Sequence, residues 1–425
     1  MRSRDLFVTN PPPQAFAALR HPGFRTYFIY SAMTMMADSI EHVISYWIIF
    51  QKFHTPALAG FAVVSHWLPM LLFGVSVGAL ADRFDPRRLI QIGMLCFMVA
   101  SLSWSVLFMT DSLQMWHAVV ILIIHGMGSL FWATPAQLLI HDIVGPAQLP
   151  SAVRLNATAR YLGLLAGPAV GGVILLVLGP AHGLLLNVLI YLPLTWWLWK
   201  APYGPRFRAG GPAPRRAVRG FADIVQTIRD VSGNRILVSM ILLAGGYSFL
   251  IGNAYQAQMP EFARDFGHGD AGPLYSMLLA ADATGAFLAG ILLETRGLLR
   301  PRTRTAFLLA MLWCCAIGGF AVVKSYPAAL GLLFVAGFLE LSFSAMAQTL
   351  VQIHAPSEIR GRVLGLYAMG ALGLRAFAGV TIGVMGGVLG IHWSLALSAG
   401  VLLAVIIGLL TFSSRPAAVA ASSAD

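Results

Sequence analysis

The chain has 425 residues, 58% of them hydrophobic and only 11% charged, with a mean hydropathy of +0.76. That balance excludes a soluble globular domain. The formal net charge of +11 does not call for a nucleic-acid partner, because membrane proteins gather Lys and Arg on cytoplasmic loops and become basic for that reason alone.

Residues 1–25 form a polar N-terminal segment containing Pro11-Pro12-Pro13. It has no apolar run leading to a small-residue cleavage site, so insertion is expected to be directed by the first membrane span, not by a cleaved signal. Apolar runs long enough to cross about 30 Å as helices follow near 26–50, 57–80, 89–110, 114–140, 156–178, 181–200, 236–259, 271–293, 304–323, 327–352, 362–387 and 391–412. The expectation is an all-α polytopic membrane protein of twelve spans. With the N-terminus inside, only Lys52, Arg264 and Lys324 of the 28 Lys and Arg fall on the outer side, while Arg160 and Arg375 lie within spans. Such a bias predicts that both termini are cytoplasmic. Cys96, Cys314 and Cys315 all lie in apolar stretches and read as small buried hydrophobes.

The longest break, 201–235, separates a unit at 26–200 from a second at 236–412, and residues 413–425 form a tail. Within the break, Val218, Phe221, Ile224, Val225 and Ile228 recur at helical spacing, with Arg219, Asp223 and Arg229 elsewhere. This suggests a surface helix on cytoplasmic headgroups; a partly disordered linker is the alternative. The two units echo each other. Gly78-x-Leu80-x-Asp82 returns as Gly290-x-Leu292-x-Glu294, with Arg300 where Arg88 would fall. Likewise Ala136-Gln137…Pro146 returns as Ala347-Gln348…Pro356. Two fused six-helix halves are implied.

Two motifs carry mechanism. The loop Gly78-Ala-Leu-Ala-Asp82-Arg83-Phe-Asp85-Pro86-Arg87-Arg88 joins two spans too closely to be anything but antiparallel neighbours. In the fifth span, Gly163-x-x-x-Gly167-Pro168-Ala169-Val170-Gly171-Gly172 makes a small-residue face, and Pro168 permits a kink. The loop resembles the signature between the second and third helices of major facilitator superfamily transporters, and the glycine run resembles the fifth-helix signature of that superfamily's exporters. Leu19-Arg20-His21-Pro22-Gly23-Phe24-Arg25 and Pro356-Ser357-Glu358-Ile359-Arg360-Gly361-Arg362-Val363 are similar to the branch that includes the bacterial enterobactin exporter. The resemblance implies two pseudo-symmetric six-helix bundles with a substrate site between them. It also implies a gating role for Gly78, Asp82, Arg83, Arg87 and Arg88, export by antiport, a monomer, and a bacterial inner-membrane location. No cofactor is implied; the proton gradient would supply the energy.

Charges in mid-span are costly and usually line a cavity or are paired. Asp38 and Glu41 lie three residues apart in the first span with His42 beside them. Asp282 lies in the eighth, Glu340 in the tenth, Arg375 in the eleventh and Arg160 near the inner end of the fifth. Carboxylates shielded from water can load and release protons as access alternates, and Asp38 with Glu41 is the first choice because mutual repulsion favours protonation of one. Asp282 and Glu340 are the further candidates, or else they form buried ion pairs with Arg375 that hold helices in register. His66 and His125 read more simply as hydrogen-bonded packing. Trp67, Trp132, Tyr247, Phe249 and Tyr255 are candidates to line a cavity, and Trp196, Trp197 and Trp199 to mark the interface.

The leading expectation is therefore a proton-coupled exporter of a small amphipathic molecule such as a siderophore or drug. A second is a metal-ion exporter using Asp38, Glu41 and His42 as ligands. A membrane enzyme or scaffold is disfavoured, since the chain has no H-E-x-x-H, G-x-S-x-G or phosphate-cradling loop.

Overall fold

The computed structural model describes residues 15–53, 56–207, 220–252, 254–266, 272–295, 300–378, 381–382 and 385–414, and no strand occurs among them. The tails, including Arg2, Arg4 and Arg415, and the linker positions 208–219 with Val218 and Arg219 lie outside the described residues.

Three helices begin at prolines, where the missing N–H would have no partner anyway: α1 (Pro22–Phe53), α2 (Pro56–Arg83) and α3 (Pro86–Met109). Asp85 caps α3 by accepting the Arg87 N–H at 3.0 Å. The long run α4 (Met115–Lys200) is one helix in name only. Gly145 (φ 67°, ψ 175°) and Gly179 (φ 74°, ψ 172°) break it into three crossings, and left-handed φ at these points suits glycine. The fourth to sixth spans are thus where the apolar pattern puts them. The helix continues through Pro168, and the backbone leaves helical φ/ψ at the two glycines. The side chain of Pro168 lies outside the described residues.

In the second half, Asn234 caps α6 (Arg235–Leu250) by accepting the N–H groups of Ile236 and Leu237 at 3.1 and 3.2 Å. The seventh span continues past Gly252 (φ 47°) as two short helices, α7 (Ala254–Ala257) and α8 (Met259–Asp265). Then come α9 (Gly272–Thr295), α10 (Thr303–Val322) and α11 (Tyr326–His354). The eleventh span is broken: α12 (Arg360–Ala368), a π-helical turn at Met369–Gly373, α13 (Arg375–Ala378) and α14 (Met385–Leu389). α15 (Ile391–Ser414) closes the chain. Among the described residues, nine stretches are long and apolar enough to cross a membrane. Neither α1, with Asp38, Glu41 and His42 in its middle, nor the broken α12–α14 run is one of them.

Lipid is as apolar as leucine, so helices here associate through close van der Waals packing at small residues. Gly163, Gly167 and Gly171 form a stripe on the middle crossing of α4 and meet Met35, Ser39 and Ile40 of α1; Gly172 faces open space. Gly337 of α11 rests on the Asp282 backbone of α9. Between halves, Gly74 and Gly78 of α2 lie on Gly365 and Gly361 of α12, and Gly290 of α9 lies on Thr158 of α4.

α5 (Phe221–Ser232) is the surface helix expected from the linker, with one correction of detail. Its apolar stripe faces outward, Phe221 being 67%, Val225 51% and Ile228 49% exposed, while Asp223 is buried. Asp223 Oδ1 lies 3.4 Å from the Arg362 Nε of α12, and Ile224 and Val231 pack on the core beside it, so this ion pair and two apolar residues hold the helix to the bundle. The cysteines also differ from expectation: Cys314 is buried, Cys96 half-buried and Cys315 exposed.

Candidate functional site

Between the halves lies a cavity of about 220 Å³. Its wall on the first half includes Asp38, His66, Trp67, Trp132 and Arg160; on the second half it includes Tyr247, Glu340 and Arg375. Gln137 and Gln348, equivalent positions in the internal echo, both reach it. Of the aromatic candidates, Trp67, Trp132 and Tyr247 therefore line the space. Phe249 is exposed elsewhere, and Tyr255 is buried. Trp196 and Trp199 stand outward as interface markers would, while Trp197 packs against Tyr27 and Tyr203.

Asp38 and Glu41 are brought together by a residue that sequence reasoning set aside. His125, from the first crossing of α4, sits between them, its Nε2 3.0 Å from Asp38 Oδ1 and its Nδ1 2.8 Å from Glu41 Oε1. The two carboxylates thus flank an imidazole instead of facing each other, which removes the repulsion argument for choosing them as proton carriers. Glu41 points away from the cavity. Its Oε2 accepts the Ser101 hydroxyl at 2.5 Å, and Asn187 donates to Ser101 at 3.2 Å and to the Ala37 carbonyl at 3.0 Å. His42 places Nδ1 2.7 Å from the Asp38 carbonyl. The ring centroids of His42, His66 and His125 lie 4.9–5.5 Å apart. The metal set foreseen as Asp38, Glu41 and His42 is therefore altered: Glu41 is engaged behind, and His66 and His125 stand with His42. The available signal was three histidines in three apolar spans at similar depth, but only the packing of α1, α2 and α4 joins them.

On the second half, Glu340 is buried and its Oε1 accepts the Tyr247 hydroxyl at 2.6 Å. Asp282 is set back from the cavity, its Oδ2 accepting from Tyr255 and Gln256 at 3.1 and 3.0 Å. The partners of Arg375 are the Trp67 ring, 5.2 Å from the guanidinium carbon, and the Ala371 carbonyl at 3.2 Å. It thus reaches across to the other half over an aromatic face.

At the arginine-rich end the Gly78–Arg88 loop makes specific contacts. Asp82 accepts the N–H groups of Gly361 and Arg362 at 2.6 and 3.0 Å, a carboxylate on the positive end of a helix. Arg87 chelates Asp85, with Nη2 at 2.6 Å, and donates to the Ala201 carbonyl, pinning the loop to the end of α4. Arg88 covers Trp199 and Arg83 covers Phe84. The echo position Glu294 is equally engaged: Arg154 grips Oε2 through Nε and Nη2, both at 2.9 Å, and the Ser151 hydroxyl donates to Oε1.

A cavity between two helical halves, tied together at one end by carboxylates, is the arrangement of an alternating-access carrier. Solved transporters share the fold. The Escherichia coli fucose:proton symporter FucP aligns with a TM-score of 0.70 at 13% identity, covering 93% of this chain and 100% of its own. A bacterial homologue of the iron transporter ferroportin aligns at 0.69 and 15%, covering 92% and 99%. Among curated relatives, the multidrug efflux pump Tap of Mycolicibacterium fortuitum is 22% identical over 88% of this chain and 92% of its own. The enterobactin exporter EntS of Salmonella typhimurium is 25% identical over 92% and 91%. The family model described as transmembrane secretion effector matches residues 13–424. The chain is thus a multi-pass membrane transporter, not an enzyme, and belongs to the transmembrane secretion effector family of the major facilitator superfamily.

Proposed function

We propose that this transporter exports a small amphipathic molecule, a siderophore or drug, in exchange for protons, by rocking units 26–200 and 236–412 about the central cavity. The observation that carries the reading is the cavity's composition: aromatic faces from Trp67, Trp132 and Tyr247 beside the charges of Arg160, Arg375 and Glu340. Such a wall suits a ligand with flat apolar and polar parts. The names of the relatives, a drug efflux pump and a siderophore exporter, support the direction. So does the Gly163–Gly167–Gly171 stripe, which packs α4 on α1.

Glu340 takes the proton-exchanging role. It is a buried carboxyl that lines the cavity and accepts the Tyr247 hydroxyl, an intramembrane acid placed where cargo and water reach the same space. Asp282 is a second acid behind it. The arginine-rich end faces the cytoplasm, both termini with it, and the carrier works as a monomer in the bacterial inner membrane.

The test is uptake of a catecholate siderophore and of a lipophilic fluorescent dye into inverted vesicles. Accumulation that a protonophore collapses, and that Glu340→Gln loses while downhill exchange persists, is the expected outcome. Accumulation of neither probe under any imposed gradient would sink the export reading, and full gradient-driven accumulation by Glu340→Gln would remove Glu340 from it.

A further inference from the structure

Export as proposed makes no use of the three histidines of the first half, of which His66 lines the cavity and His42 and His125 pack beside it. Their hydrogen bonds decide where their lone pairs lie. Nδ1 of His42, 2.7 Å from the Asp38 carbonyl, must be the protonated nitrogen, because a carbonyl oxygen only accepts. Nδ1 of His125, 2.8 Å from Glu41 Oε1, donates in the same way. In each ring the Nδ1 proton is held on the outer side by a backbone carbonyl or a carboxylate, so the neutral ring presents Nε2 as its electron-pair donor. That is how metal-binding imidazoles are oriented by their surroundings.

The donors converge. His42, His66 and His125 each offer a ring nitrogen within 4.8 Å of the others. Nε2 of His125 and Oδ1 of Asp38 are 3.0 Å apart but out of hydrogen-bond alignment, and Nδ1 of His66 is likewise buried without a hydrogen bond. The buried Nδ1 of His66 in particular carries a desolvation cost that no hydrogen bond offsets. A separation of 3.0 Å is also what two ligands show when they bind one cation at about 2.1 Å and roughly a right angle. Two carboxylates, Asp38 directly and Glu41 through His125, match a double positive charge.

We propose that His42, His66 and His125, with Asp38 as an oxygen donor, form a binding site for a divalent transition-metal cation of the Zn²⁺ type beside the transport cavity, which Asp38 and His66 line. Three imidazoles and one carboxylate suit Zn²⁺, and also Co²⁺ and Ni²⁺, better than the hard all-oxygen cations. Nitrogens within 4.8 Å of one another need to close by up to about 1.4 Å to reach tetrahedral spacing, a movement within the reach of side-chain rotation.

The site is tested on the purified full chain in detergent, without cargo or gradient, so the result is independent of the vesicle experiment. The probe is Zn²⁺ alone, titrated against a chromophoric chelator. One ion per chain is expected, at micromolar affinity or tighter, with at least a tenfold loss in His66→Ala. His66→Cys, which supplies a thiolate ligand, is expected to recover most of that loss. X-ray absorption of the loaded protein should show imidazole scattering from about three ligands. Equal Zn²⁺ uptake by the wild type and His66→Ala would mean adventitious binding and overturn the proposal. So would no uptake by the wild type, which would make His125 an imidazolium bridge between Asp38 and Glu41.

Discussion

The two carboxylates that tie the halves together, Asp82 and Glu294, occupy equivalent positions and use different chemistry. Asp82 grips two backbone N–H groups at the start of α12. Glu294 grips a guanidinium and a hydroxyl on α4. The glycine one turn earlier differs in the same sense. A side chain at Gly78 would strike the Gly361 carbonyl, whereas one at Gly290 would strike the Thr158 side chain. The first contact is therefore made by backbone on both sides and resists adjustment. The second is made against a side chain and gives more readily than backbone does. Repeat symmetry has preserved where the latch sits while leaving each latch its own partner.

The largest effect should come from Glu294→Gln. Glu294 has no exposed side-chain surface and Arg154 only 15%, so removing the charge leaves a guanidinium mostly buried without its counter-ion. Breaking such a pair costs about 3–5 kcal/mol. Because the contact joins the halves, the cost falls on the state closed at the arginine-rich end. Distances between spin labels placed across that end should lengthen in most molecules. Unchanged distances would mean that this pair does not bias the gate.

Gly78→Ala comes next and separates backbone from side-chain contact most directly. Overpacking a close contact costs about 1–3 kcal/mol, which at about 1.4 kcal/mol per factor of ten is a shift of about five- to 150-fold in the gate equilibrium. Gly290→Ala, which meets the Thr158 side chain and not backbone, should cost less than Gly78→Ala on the same reasoning. Equal label distances and melting temperatures in the two variants would erase the distinction.

These latches were largely legible beforehand. The repeat of Gly-x-Leu-x-acid pointed to Asp82 and Glu294 as a pair, and the short charged loop placed Arg83, Arg87 and Arg88 at one end. The partners were not legible, since Gly361 donates through its backbone and Ser151 and Arg154 stand 143 and 140 residues from Glu294. The cavity was half legible. Asp38, Glu340, Arg160 and Arg375 stood out as charges in apolar spans, and all four line it. His66 and His125 did not, because one histidine in one span carries no periodic signal; only helix packing makes three of them a group. The breaks at Gly145 and Gly179 fall in the gaps between the expected spans 114–140, 156–178 and 181–200, while the fracture of the eleventh span at Met369–Gly373 has no sequence mark beyond its glycines.

Asp82→Asn should be milder than Glu294→Gln. The amide keeps the size and can still accept one of the two N–H groups, and no cation is stranded. The loss is the charge at the helix start and one charge-assisted bond, about 1–2 kcal/mol. If both latches act on one equilibrium from separate places, Asp82→Asn and Glu294→Gln should add in the double variant. A double variant no worse than Glu294→Gln alone would show that opening one latch already releases the other.

The smallest effect is expected at the opposite end, and it serves as the control for the comparison. Lys52 Nζ lies 2.7 Å from Asp111 Oδ1, but the Asp111 side chain is 93% exposed. The hydrogen bond from Lys52, and then its charge, hold the Asp111 carboxyl below the usual carboxylate range. A lowered folded value means that any stabilisation is present above the ordinary carboxylate pKa and is lost as pH falls through the folded one. Water and salt screen the pair strongly. Asp111 also has φ 47°, a left-handed conformation that asparagine tolerates, so Asp111→Asn removes the charge without straining the turn. The melting temperature at neutral pH and the label distances at the arginine-rich end should both stay where they are. A shift comparable to that of Asp82→Asn would mean that charge at either end, not contact between the halves, sets the gate.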